Sequence, residues 1–135
     1  MKLEKNDAKI IARSLFSQWN EALLSGDPKK VSELYTKDNI FLPTMFGKME
    51  FGREGDEEYF EHFLEKHPVG TIIQDDVIAN DDIIVHAGLY DFELDTVDGN
   101  RETAHARFTF VYTKEDDGGW RIEHHHSSLK PLSNG

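Results

Sequence analysis

Near the end of the chain three histidines stand in a row, His124-His125-His126, between Glu123 and Ser127. Side chains alternate along a strand, so His124 and His126 would share one side and His125 would take the other. A His-x-His pair on one face is the spacing of strand-borne metal ligands, yet a metal site needs a third and usually a fourth donor. No His or carboxylate joins that side by parity. No metal is therefore expected, and His124 and His126 read as packing and hydrogen-bonding groups at a subunit interface. His125 with Glu123 makes a His–Glu pair able to move a proton near neutral pH, or an ordinary structural contact. Upstream, Tyr90, His105 and Arg107 carry donors suited to an anionic or carbonyl-bearing ligand. A guanidinium offers a carboxylate two parallel N–H groups, and imidazole and phenol add single ones. Ser127 belongs with them, and Arg53, next to Gly52 in a loop, is placed to reach the rim. Arg107 has a second reading, a structural ion pair with Glu123, because a buried charge needs a partner in either case.

A run of strands must position these residues. After Gly70, segments 71–79, 83–94, 101–113 and 120–129 are separated by Asn80-Asp81-Asp82, Asp98-Gly99-Asn100 and Asp116-Asp117-Gly118-Gly119, which is turn chemistry. Consecutive strands on short turns make an antiparallel meander. Folding the second and third about residues 96–99 sets Tyr90 opposite His105, and Gly88 opposite Arg107. Folding the third and fourth to match Phe110 with Ile122 and Tyr112 with Trp120 sets Arg107 opposite His125, and Thr109 opposite Glu123. One face then gathers His86, Gly88, Tyr90, His105, Arg107, Thr109, Glu123, His125 and Ser127, with Gly88 leaving room for Arg107. The other gathers Val85, Leu89, Phe108, Phe110, Tyr112, Trp120, Ile122, His124 and His126. A one-residue slip in either turn would reassign all of them.

Helices come first. Ile11, Leu15, Trp19 and Leu23 recur every fourth residue, widened by Ala12, Phe16 and Ala22, the stripe of an amphipathic helix. Gly26, Asp27 and Pro28 stop it and start a short second helix carrying Val31, Leu34 and Tyr35. Residues 39–42 read as a short strand ended by Pro43, and 43–55 as a loop or small hairpin. A third helix opens on Asp56-Glu57-Glu58, shows Tyr59, Phe60, Phe63 and Leu64 on its apolar side, and ends at Pro68. Helices followed by strands is an α+β order, and residues 1–135 read as one domain without repeat or linker. With 26 acidic against 15 basic side chains the formal charge is −11, which argues against nucleic acid and membrane surfaces as partners. There is no cysteine, so disulfides and thiolate chemistry are excluded. No Gly-rich dinucleotide turn or haem motif occurs, and no cofactor is expected. The charged start lacks the apolar core of a signal peptide and no run spans a bilayer; the expected location is the cytoplasm.

The ending Gly119-Trp120-Arg121-Ile122-Glu123-His124-His125-His126-Ser127-Ser128-Leu129-Lys130-Pro131 resembles the terminal strand of the association (hub) domain of calcium/calmodulin-dependent protein kinase type II. Trp19-Asn20 with Ser25-Gly26-Asp27, Tyr59-Phe60-Glu61, and Gly70-Thr71-Ile72 agree with it. The stretch Ala104-Ala106-Arg107-Phe108-Thr109-Phe110-Val111-Tyr112 is similar to small bacterial proteins of the same superfamily. The resemblance implies a nuclear transport factor 2-like cone, with helices packed into a strongly curved antiparallel sheet and a pocket at its wide end. It implies self-association as well: a homodimer, extending to a higher ring. The hub pocket is lined by arginines and binds small carboxylates. Tyr90 and Ser127 stand where two of those arginines align, and Arg107 lies near a third.

These readings lead to a self-assembling domain with a polar pocket for a small carboxylate-like molecule, built from Tyr90, His105, Arg107, Glu123, His125, Ser127 and Arg53. Phe108, Phe110, Tyr112 and Trp120 supply more aromatic surface than one thin face needs, and burial in an oligomer would use it. The alternative is a small ketosteroid-isomerase-like or hydrolase-type enzyme working in the same pocket. That isomerase pattern has a carboxylate base before a proline, and here Leu42 precedes Pro43.

Overall fold

The computed structural model describes residues 2–133. Helix α1 (Lys5–Leu24) is followed by α2 (Pro28–Ser32), strands β1 (Tyr35–Leu42) and β2 (Glu50–Phe51), helix α3 (Gly52–Phe63) and a 3-10 turn (Leu64–Lys66). Strands β3 (Val69–Ala79), β4 (Ile83–Asp95), β5 (Arg101–Lys114) and β6 (Trp120–Leu129) complete the chain. All six strands form one curved sheet in the order β2-β1-β6-β5-β4-β3. Its pairings are antiparallel except for β1 with β6, which is parallel. The expected α+β arrangement of helices on a curved sheet is what forms.

Local chemistry explains the helical half. Ala8, Ala12, Phe16, Trp19 and Leu23 are the buried residues of α1, spaced so that one stripe faces the sheet. The chain leaves α1 through Gly26 at φ +73°, and the Asp27 side chain accepts from Lys29 N–H to cap α2. Two boundaries differ from expectation. Tyr35 opens β1 rather than closing α2, because α2 ends at Ser32. Helix α3 begins at Gly52, four residues early, so Asp56 lies inside the helix on its buried side.

Register is where expectation and structure part. The β4–β5 connection holds five residues, closed by Thr96 N–H on the Asn100 carbonyl (2.8 Å), with Gly99 at φ +87°. Tyr90 therefore pairs with Ala106, Asp91 with His105 and Leu89 with Arg107. One extra loop residue moves His105 and Arg107 to the outer face. The β5–β6 connection also holds five, closed by Glu115 N–H on the Gly119 carbonyl (2.7 Å). Phe110 then pairs with His125 and Phe108 with Ser127, and the register shifts so that Tyr112 meets Ile122, with Glu123 as the extra residue. That bulge turns both Ile122 and His125 inward and leaves Glu123 exposed.

The aromatic residues assigned to the reverse side are accordingly core. Phe108, Phe110 and Tyr112 are 3%, 0% and 1% exposed, and with Trp19, Tyr35, Phe41, Phe60 and Tyr90 they fill the space between sheet and helices. Trp120 packs at the margin of that cluster. Each fully buried large side chain contributes about 1.5–3 kcal/mol, so these aromatics stabilise the single chain and are not spare interface. Gly88 has a different purpose from the one expected. A Cβ there would lie 2.0 Å from the Gln74 carbonyl oxygen, so the missing side chain admits the bulged β3 backbone and not Arg107.

Candidate functional site

Inside the cone the side chains of α1, β1, β4 and β6 meet in one buried polar chain. The Trp19 indole N–H donates to the Tyr35 hydroxyl (3.2 Å), which lies 2.9 Å from His125 Nδ1. On the other side of the ring, His125 Nε2 lies 3.2 Å from the Tyr90 hydroxyl, which donates to Ser127 Oγ at 2.5 Å. Ser127 Oγ also contacts Thr44 Oγ1, from the loop after β1. The ends of the chain set its direction. Tyr90 gives its proton to Ser127, so its oxygen accepts from His125 Nε2–H; Nδ1 then carries the lone pair and accepts from Tyr35 O–H.

Electrostatics make this site neutral. His125 is 1% exposed and lies between the Phe41 ring (4.7 Å, 9°) and the Phe110 ring (4.0 Å, 21°). Burial, with smaller effects of His124 and His126, holds the imidazole well below its usual pKa. Burial likewise raises the phenols of Tyr35 and Tyr90. The site thus holds a neutral imidazole and four hydroxyls among aromatic walls, which suits a carbonyl or hydroxyl group. It lacks the cation that would offset a carboxylate's loss of water. The space bounded by Tyr90, His125, Ser127, Thr44, Tyr59 and Phe63 is about 10 Å³, the lower limit for one water molecule.

Of the seven residues singled out in the sequence, Tyr90, His125 and Ser127 come together here. His105 lies on the outer face against Asp91 (2.8 Å). Arg107 is exposed there too, its guanidinium 3.4 Å from Ser128 Oγ, and Glu123 sits in the bulge. The predicted Arg107–His125 pairing does not form, for the register reason above. Arg53 is exposed and donates from Nε to the Tyr35 carbonyl (3.0 Å); it holds the strand that carries Tyr35 without reaching the cavity. Trp19, Tyr35 and Thr44 are the partners sequence reasoning missed. A tyrosine four residues ahead of a short apolar strand is a weak signal, and only the β1–β6 pairing, with Tyr35 beside Ile122, brings it to His125.

A second buried group lies where α3 crosses β1 and β2. Asp56 is 0% exposed and accepts from Asn39 Nδ2 at 2.7 Å. Burial pushes its carboxyl up to about 7. Asp56 Oδ1, Asn39 Oδ1 and Glu50 Oε2 are buried without hydrogen-bond partners. A proton on Asp56 supplies a donor to a place that otherwise holds acceptors.

The outer face of the sheet has its own pattern. Cross-strand pairing aligns Ile78, Val85, Val111, His124 and Ile40 in one row running over β3, β4, β5, β6 and β1. No Asp, Glu, Lys or Arg interrupts it.

Comparison with known proteins supports one family. The family model described as the calcium/calmodulin dependent protein kinase II association domain matches residues 7–131. A search of curated proteins finds no match. Among solved structures, a candidate calcium/calmodulin dependent protein kinase II association domain from Xanthomonas campestris is 44% identical, with a TM-score of 0.86 over 90% of this chain and 87% of that one. A nuclear transport factor 2-like superfamily protein from Salmonella enterica serovar Typhimurium shares the fold at 19% identity, with a TM-score of 0.80 over 96% of this chain and 95% of that one. A ketosteroid isomerase-like protein from Erwinia carotovora atroseptica shares it at 16% identity, with a TM-score of 0.72 over 88% of this chain and 94% of that one. With its helices laid on a curved sheet and a family match spanning nearly all of its length, this chain belongs to the calcium/calmodulin-dependent protein kinase II association domain family.

Proposed function

We propose that this chain is a self-assembling association module whose outer sheet face meets a second copy of itself, and whose interior accepts a small carbonyl-bearing molecule at Tyr90 and His125. The uncharged row Ile78–Val85–Val111–His124–Ile40 carries the assembly reading. Two chains of charge −11 repel, so the patch they share must be one without like charges to desolvate. This row meets that condition and is rich in β-branched side chains, which pack well across a sheet face. The interior reading rests on the Tyr35–His125–Tyr90 chain of neutral donors. It favours a carbonyl over the carboxylate that Arg107 would have received.

Light scattering with mass determination at micromolar concentration tests the assembly. The expected result is a dimer or larger, with Val111→Lys shifting the mass toward the monomer while the circular dichroism spectrum is unchanged. A monomeric parent chain would sink the reading. For the interior, a thermal-shift screen of small ketones, amides and carboxylates is expected to stabilise through the neutral compounds, with the shift lost in Tyr90→Phe. Stabilisation by carboxylates alone, dependent on Arg107, would overturn it.

A further inference from the structure

We propose that His124 and His126 form a surface site for a late first-row divalent ion of the zinc, nickel and copper class, on the outer face of the sheet. Both side chains project from alternate positions of β6 to that face, and their ring centroids are 6.5 Å apart at 66°. The decisive contact is made by His124. Its Nδ1 lies 2.9 Å from the Ile40 carbonyl oxygen. A carbonyl only accepts, so Nδ1 bears the hydrogen and Nε2 bears the lone pair. A backbone carbonyl taking the second N–H is the support that orients metal-bound histidines and raises their basicity. His124 therefore stands in the tautomer a metal requires, with its ring held by a neighbouring strand.

His126 supplies the second donor. Two imidazoles holding one ion at about 2.0–2.1 Å in tetrahedral geometry have centroids roughly 5 Å apart. The pair must close by about 1.5 Å from its 6.5 Å separation. His126 is exposed, and among the described residues no hydrogen bond holds its ring, so a change of rotamer suffices. No group of three or more His, Cys, Asp or Glu suited to a metal ion occurs among the described residues. The remaining positions are left to water or to donors from a second copy. Imidazole donors select the later divalent ions over magnesium and calcium, and the net charge of −11 concentrates cations at the surface despite Arg107 nearby. The site does not depend on assembly, although it lies on the face assigned above to a second copy.

The test is titration of the untagged chain with zinc chloride alone, by calorimetry and by competition with a colorimetric chelator at pH 7.5. Binding is expected at one ion per chain where water completes the coordination, or one per two chains where a second histidine pair does. His126→Asn and His124→Gln are each expected to weaken it at least about tenfold. His67→Asn, at an exposed histidine elsewhere, should leave it unchanged. Affinity equal in parent and His126→Asn, or saturation that His67→Asn abolishes, would overturn the proposal. Because His126 is exposed, loss of folding does not confuse its arm, and the mass of each variant separates failure of the ion site from failure of the assembly.

Discussion

His125 shows how one buried side chain is committed to a single protonation state. Stacked between two phenyl rings with a hydroxyl on each nitrogen, it accepts from the Tyr35 O–H only while neutral, because a proton on Nδ1 removes that acceptor. Its folded pKa is depressed, so between that value and about 6.5 the unfolded chain binds the extra proton. Its contribution is complete above about pH 6.5 and is lost as the pH falls. His125→Phe should keep the stacking but remove the acceptor of the Tyr35 O–H and the donor to the Tyr90 oxygen, costing roughly 1–3 kcal/mol at pH 7.5. Urea unfolding from pH 5 to 8 should also find a shallower acid decline in the variant. Asp56 acts in the opposite sense. Its carboxyl rises from 3.8 to about 7, so the folded chain holds the proton that the unfolded chain has released. Stability then falls as the pH rises through that interval, by at most about 4 kcal/mol. Asp56→Asn, which keeps an acceptor for Asn39, should stabilise the protein by roughly 1–3 kcal/mol at pH 8 and bring little change at pH 5. Equal effects at the two pH values would count against a near-neutral titration at Asp56.

Strand β3 is held to its neighbours by features that a single glycine permits. Its bulge between Ile72 and Gln74 brings the backbone onto Gly88 and lets the buried Asp75 carboxylate reach across. Asp75 takes two hydrogen bonds from Arg13 of α1 (3.0 and 2.7 Å) and lies 2.8 Å from His86 Nε2 on β4. The guanidinium first, and His86 after it, hold its carboxyl well below the usual range. Farther along, Asn20 bonds both the N–H (2.8 Å) and the carbonyl (3.0 Å) of Gly70, standing in for a strand at an open edge. Gly88→Ala would put a methyl 2.0 Å from a backbone oxygen, which only a shift of β3 relieves. The expected loss is about 3 kcal/mol or more, with faster amide exchange in β3 than in β5 and β6. A loss below about 1 kcal/mol would mean that the bulge rearranges freely.

Assembly belongs to the molecule as a whole, because a charge of −11 opposes any contact between copies. Screening shortens the range of that repulsion from about 30 Å at 10 mM salt to about 8 Å at physiological strength. The dimer dissociation constant is therefore expected to fall severalfold between 20 and 200 mM sodium chloride, as followed by sedimentation or light scattering. A constant that rises with salt would indicate pairing through complementary charges and would displace the uncharged row as the contact.

Neighbouring residues were enough to foretell much of this protein. The α1 stripe, the Gly26-Asp27-Pro28 break, the three strand turns and the α+β order all follow from interactions between residues close in the chain. So does the resemblance carried by residues 119–131. Strand parity is a different matter. The β4–β5 turn holds one residue more than the expected fold-back, and the Glu123 bulge adds another within β6; each odd step exchanges the two faces of everything beyond it. The first step moved His105 and Arg107 outward and brought Phe108 and Phe110 in. The bulge at Glu123 reversed the parity again, so His125 and Ser127 joined Tyr90 although the strand between them had been inverted. Tyr35 reached His125 through a parallel pairing across 90 residues, and Asp56 was buried because α3 starts early and lies over β1. Contacts of that kind depend on how the whole chain packs, since no local propensity carries the register of strands that meet only after the sheet has closed.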